Sequence, residues 1–160
     1  MEKTKDQFYQ LLEKISKRNK RDIPKNLLSI DPGETTGYAI FKSGKLERTG
    51  EIYVKKCGLS IIYHEFKLLS LDYVLIEDYK IYPNKLRSHV FDEVFTVKVI
   101  GAIEYMFQLR NIQLRFQMAS AAKGFVDNAK LRAWDMWKIG TPHARDAIRN
   151  GAYWLLFGKR

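Results

Sequence analysis

Two apolar runs in this chain each end on a carboxylate. Leu27-Leu28-Ser29-Ile30 leads into Asp31, and Tyr73-Val74-Leu75-Ile76 leads into Glu77. Runs this short and this apolar suit strands of a sheet, and the second, continuously apolar, suits one buried on both faces. A carboxylate at the end of such a strand is costly unless it has a partner or faces a cleft. If the two strands are parallel neighbours, both acids emerge at one edge of the sheet, where open α/β sheets place their ligands.

The pattern around these runs sets the architecture. Pro32 and Gly33 end the first run abruptly. Gly37 to Phe41 reads as a second strand, Ser43-Gly44 as a tight turn, and Leu46 to Val54 as a third strand, an antiparallel meander. Residues 59–70 place Leu59, Ile62, Phe66 and Leu69 on one helical face. Residues 85–109 predict a long helix with a stripe of Val90, Val94, Val97, Ile100, Ala102 and Met106. Ile112, Leu114, Phe116 and Met118 alternate with polar residues, which signals a fifth strand, and helices are expected over about 128–138 and 143–157. Three strands followed by strands alternating with helices imply an α/β fold, a mixed sheet with helices on its faces.

A chain of 160 residues suits one domain with one core. We expect that domain to span 26–160, preceded by an extension over 1–25. Phe8, Leu11, Leu12 and Ile15 in the extension recur at helical spacing, followed by the basic stretch Lys17-Arg18-Asn19-Lys20-Arg21 and then Pro24. That segment is open to four readings: docking on the domain, pairing with a partner subunit, touching nucleic acid, or standing in solvent.

Lysine and arginine number 28 against 18 acids, a net charge of +10 that favours a polyanionic partner, most commonly nucleic acid. Cys57 is the single cysteine, which excludes an intrachain disulfide and a cysteine zinc cluster and fits a reducing compartment. The N-terminal MEKTKDQFYQ has no apolar signal core, and no apolar run approaches the roughly 20 residues needed to span a membrane. The expectation is a soluble cytoplasmic protein with no membrane partner and no small-molecule cofactor.

His143-Ala144-Arg145-Asp146-Ala147, behind the helix-start signal Pro142, supplies a third piece of chemistry. His143 and Asp146 are three apart and share a helical face. A helix carrying them toward Asp31 would complete a site of three carboxylates and one imidazole. Mutually repelling carboxylates are relieved by a divalent cation, and oxygen-rich sites suit magnesium or manganese. Two such ions, about 3.5–4 Å apart, could activate water and steady the leaving oxygen of a phosphodiester. His143 could ligate a metal or move a proton.

Taken together, Ile30-Asp31-Pro32-Gly33 with Thr36-Gly37, Ile76-Glu77, and His143-Ala-Arg-Asp146-Ala147 resemble the RuvC family of Holliday-junction resolvases, over about residues 27–157. The resemblance implies an RNase H-like fold with sheet order 3-2-1-4-5. It also implies a homodimer that makes paired nicks in four-way DNA junctions with magnesium or manganese. Asp31, Glu77, His143 and Asp146 would form the metal-binding catalytic set, in the subtype that carries a histidine where other members have an acid. The family's basic segment after the fifth strand looks shortened here to Lys123-Gly124-Phe125-Val126-Asp127-Asn128-Ala129-Lys130, which would set Lys123 and Lys130 near the scissile phosphate. The N-terminal segment has no counterpart in the usual bacterial pattern. Compact viral versions vary there, so the resemblance points to a bacteriophage version acting in a bacterial cell.

Further DNA contacts are expected just past Glu77, where aromatics alternate with bases. Lys80, Lys85 and Arg87 would neutralise phosphates. Tyr79 or Tyr82 would stack on an exposed base, worth about 1–3 kcal/mol, unless it packs under the loop. Asp78 reads as a solvated neighbour, not a ligand. Arg145 and Arg149 flank Asp146 and would either steady phosphate charge or pair with surface acids, while Lys138 and Arg132 extend the basic surface. Trp134 and Trp137 read as core or interface residues. The wide stripe of the long helix fits either a dimer interface or a core-facing helix.

Three other functions compete. An actin-like or sugar-kinase ATPase also uses an Asp-x-Gly turn, but needs two such domains around its nucleotide, more than 160 residues allow. An RNase H-like nuclease acting on RNA or RNA–DNA hybrids would use the same carboxylates. A module that binds branched DNA without cutting it gains nothing from acids facing phosphates, since their repulsion weakens binding.

Overall fold

A computed structural model describes residues 6–78, 90–138 and 141–159, the side chains of residues 90–94 excepted. The elements follow the chain as α1 (Gln7–Arg18), β1 (Asn26–Asp31), β2 (Thr35–Lys42), β3 (Lys45–Tyr53), α2 (Val54–Cys57), α3 (Ser60–Phe66), β4 (Tyr73–Asp78), α4 (Val90–Leu109), β5 (Gln113–Met118), α5 (Ala119–Phe125), α6 (Asn128–Ala133) and α7 (Pro142–Phe157). The sheet has five strands in the order β3-β2-β1-β4-β5. β1 pairs antiparallel with β2 and parallel with β4, and β4 pairs parallel with β5. This is the expected mixed sheet, in the expected order.

The hairpin between β2 and β3 turns on Ser43 and Gly44, both at positive φ (48° and 80°), as a two-residue turn matched to strand twist requires. A Cβ at Gly44 would also lie 2.5 Å from Leu12 Cδ2, because α1 packs over this turn. Phe8 and Leu12 of α1 are fully buried in the same core as β1, β2 and α7, with the Phe8 and Trp134 rings 5.0 Å apart. Arg21 donates to the carbonyls of Leu156 and Gly158 at the end of α7, where a cation complements the helix dipole. The N-terminal helix is therefore docked on the domain.

Strand alternation sorts side chains onto two faces. Leu27, Ala39, Phe41 and Leu75 pack under α1 and α7, against Ala147, Ile148 and Leu155. Leu28, Ile30, Tyr38, Ile40, Val74 and Ile76 pack against Ile62 and Phe66 of α3 and Val99, Ile103 and Phe107 of α4. Among the described residues, no helix is long and apolar enough to cross a membrane.

Several element boundaries differ from the sequence expectation. The helix predicted over 128–138 stops at Ala133, because Asp135 takes φ 56° and turns Met136 inward. The helix predicted over 59–70 spans Ser60–Phe66, and the short helices α2 and α5 were not anticipated. The α4 stripe is rotated. Val99, Ile103, Met106 and Phe107 face the core, whereas Val97 is half exposed, and Val90 and Val94 lie outside the described side chains. A helix apolar on nearly every side does not specify its own phase; its neighbours choose it. In β5, Phe116 and Met118 are exposed and Gln117 is buried. An edge strand has one strand neighbour only, and its alternation does not reveal which face will be covered.

Candidate active site

The candidate residues contributed by the sheet lie in one lateral row across it. Gly37 pairs with Asp31 on one side and with Glu51 on the other. Ile30 pairs with Ile76, which brings Asp31 into step with Glu77, and Glu77 pairs with Gln117. Glu51, Gly37, Asp31, Glu77 and Gln117 thus stand side by side. Two-residue periodicity puts them on the face of Leu27 and Leu75, the face that α7 covers. Asp78 has the opposite parity and falls on the other face. The turn leading away from Asp31 is closed by Thr36, fully buried, whose hydroxyl donates to Gly33 O (2.9 Å) and accepts from Gly33 N (3.3 Å).

The start of α7 crosses β2 directly above Gly37. A Cβ there would sit 2.1 Å from the His143 carbonyl carbon, so any side chain would push the helix away. Thr141, the residue before the helix, makes no side-chain cap. Glu51 caps the helix from β3 instead, its Oε1 accepting from His143 N (3.0 Å) and Ala144 N (3.4 Å). So held, α7 points His143, Asp146 and Asn150 at the row, at helical spacing.

His143 Nδ1 lies 3.1 Å from Asp31 Oδ2. Asn150, 1% exposed, donates through Nδ2 to Glu77 Oε2 (2.6 Å), and its own carbonyl accepts from Gln117 Nε2 (3.1 Å). Asp146 is gripped from both sides, Oδ2 by Lys123 Nζ of α5 (3.0 Å) and Oδ1 by Arg149 (2.5 Å).

The electrostatics follow from this crowding. Burial pushes the Asp31 carboxyl above its ordinary range; the hydrogen bond and charge of His143 oppose that, and Asp146 adds repulsion. Burial likewise raises Glu77, helped by the Asp31 charge and resisted by the Asn150 amide. The hydrogen bond that the protonated His143 donates to Asp31 raises its pKa against its partial burial, with the charges of Asp31, Glu51 and Asp146 behind it. Partial burial works against the Lys123 ammonium, but Asp146, Glu77 and Asp31 outweigh it and raise its pKa.

A cluster of buried, mutually repelling carboxylates with one imidazole is a donor set for a hard divalent cation. Among the described residues, no three of His, Cys, Asp and Glu are aimed at a common point for a metal. In this arrangement Asp146 is paired with Lys123 and Arg149, while Glu77 gives Oε2 to Asn150 and Asp31 gives Oδ2 to His143. In kind, three carboxylates and an imidazole suit magnesium or manganese.

The other expected contacts are dispersed. Lys130 pairs with Asp127 (3.3 Å). Arg149 bonds to Asp146, Asn128 and the Val126 carbonyl, so here it pairs with an acid, one of the two readings the sequence allowed. Arg145 donates to the Lys138 carbonyl (2.6 Å) and lies over Trp137, as does Arg132, and both tryptophans pack on the core. Tyr79, Lys80, Tyr82, Lys85 and Arg87 lie outside the described residues. Sequence reasoning missed Glu51, Gln117 and Asn150. Only Asn150 carried a signal, standing four residues after Asp146 and seven after His143 on the same helical face.

No family model and no curated protein matches the sequence. Solved structures do match in shape, among them T. thermophilus RuvC in complex with a Holliday junction substrate. That match has a TM-score of 0.59 and 14% sequence identity, and it covers 80% of this chain and 90% of that one. Likeness at such low identity speaks to architecture alone, and the five-stranded order with its flanking helices gives this chain the RNase H-like fold of RuvC.

Proposed function

We propose that this protein is a divalent-metal-dependent endonuclease that resolves four-way DNA junctions by paired nicks, working as a homodimer in the bacterial cytoplasm, in a compact bacteriophage version of the RuvC design. The observation that carries the reading is the convergence of Asp31, Glu77, His143 and Asp146 from three separate elements at one rim of the sheet. Asp31, Glu77 and Asp146 would hold two magnesium or manganese ions, with His143 as the fourth donor. Metal at such a site supplies an activated water and charge stabilisation for the leaving oxygen of a phosphodiester.

The chain's own groups do the rest. Burial keeps Asp31 and Glu77 poorly solvated, so they favour a cationic neighbour over water. Asn150 fixes the rotamer of Glu77, and Asp31 fixes the ring of His143. Glu51 and Gly37 set where the histidine's helix begins. Paired nicks require two sites facing two strands, which a two-fold dimer supplies. The exposed Val97, Tyr105 and Leu109 of α4 are apolar surface suited to such an interface.

The test is incubation of the protein with a labelled four-way junction, a linear duplex and an RNA–DNA hybrid, each in magnesium, manganese or EDTA. Symmetric nicks in the junction alone, absent in EDTA, are expected. Preferential cutting of the hybrid would replace the reading with a ribonuclease H activity, and binding without cutting in either metal would leave a branched-DNA binding module.

A further inference from the structure

Among the described residues, Asp146 is the one carboxylate of the cluster held by two cations, and the two are held very differently. Arg149 is 12% exposed and forked among Asp146, Asn128 and the Val126 carbonyl, so displacing it breaks several bonds at once. Lys123 is 51% exposed, stands in the last turn of the short α5, and has Asp146 as its polar partner among the described residues. Its stem is flexible and its ammonium is a compact point charge with water at hand, so it can leave at little cost. While in place, it also feels the charges of Glu77 and Asp31.

From this asymmetry we infer that Lys123 is a resident counter-ion of the carboxylate cluster that divalent cations displace, and that it, not Arg149, sets the cluster's affinity for them. The inference rests on the reading that the cluster takes magnesium or manganese. Its physical content is a competition. A cation already bound among three acids lowers the attraction for a second, and Asp146 Oδ2 becomes a ligand when Lys123 swings away. A lysine that merely positioned Asp146 would act in the opposite sense, since its loss would loosen a ligand and weaken metal binding. The sign of the effect therefore separates the two roles.

Calorimetric titration of magnesium, and separately manganese, into the full chain without DNA reads that sign. Lys123→Gln and Lys123→Met are each expected to bind about three- to tenfold more tightly than the unmodified protein, a range set by screened Coulomb attraction at a partly exposed site. Lys123→Arg, which keeps the charge, and Lys42→Gln, which removes an exposed lysine paired with Glu47, are expected to bind like the unmodified protein. In EDTA the neutral variants should melt earlier, because three acids lose a counter-charge, and added magnesium should recover the difference. Equal or weaker cation binding by both neutral variants would overturn the inference, as would no measurable binding by any form. Tighter binding by the neutral variants, in a protein that nicks no junction, would remove the nuclease reading and leave the counter-ion role standing.

Discussion

Alternate residues of the same strands meet two different environments. On the face covered by α3 and α4, Leu28, Ile30, Val74 and Ile76 are fully buried among aliphatic and aromatic side chains. On the face covered by α7, Leu27 and Leu75 do the same work lower in the strands, but the upper row is Glu51, Gly37, Asp31, Glu77 and Gln117. The first face is mainly apolar packing. The second gives up apolar burial at its rim for acids that burial disfavours and for a glycine that admits a helix backbone. The apolar face supports the polar one, because the same backbone carries both.

Each variant below strikes one face and should leave the other's property intact. The largest effect is expected from Asp31→Asn on the α7 face: junction cutting falls by about 10³-fold or more while junction binding and the unfolding midpoint hold. If binding and folding fail with it, Asp31 is a structural residue and the contrast between the faces is lost. Ile103→Ala on the α4 face, where the side chain is fully buried, should cost about 2–5 kcal/mol in a denaturant titration. Cutting per folded molecule should survive at low temperature; a matching loss of intrinsic activity would mean that the faces are not separable.

Asn150→Ala sharpens the comparison, since Asn150 is buried yet serves the polar row. Removing the amide that orients Glu77 should reduce metal affinity or cutting by about 10–100-fold, beyond any loss of stability. Wild-type cutting would reduce Asn150 to a packing residue. The smallest effect is on pH. Asp31, Glu77 and His143 all have raised pKa values in the folded chain, so the native state holds their protons more tightly than the unfolded one. That stabilisation is full below each unfolded value and is lost as pH rises through the folded value. For His143 the loss lies above 6.5, so in EDTA the melting temperature should drift down between about pH 6 and 8, and His143→Gln should flatten the drift. A midpoint that climbs over that range would contradict the Asp31–His143 pairing.

Much of the α7 face was legible in the chain. Asp31 and Glu77 announce themselves as acids ending apolar strands, and His143 and Asp146 share a helical face by spacing. Glu51 was hidden by a β-bulge. The hairpin register slips between Ile40 and Phe41, and without that slip a count from the Ser43-Gly44 turn would set Gly37 opposite Gly50. Gln117 was hidden because β5 reads as a strand whose apolar residues should face inward, whereas its buried position is the polar one. Arg149 was read as a phosphate contact or as the partner of an acid; that Asn128 and Val126, remote in sequence, would also hold its guanidinium was not legible.

The chain by itself determined the five strands, the longer helices, and which acids would stand at strand ends, because apolar periodicity and turn chemistry act over a few neighbouring residues. Tertiary structure decided the phase of α4, the docking of α1, the cap that Glu51 places on α7, and the pairing of Asp146 with a mostly buried arginine and a half-exposed lysine. Those outcomes depend on surfaces that meet only after folding, where one residue of register or one turn of helix exchanges a buried partner for solvent.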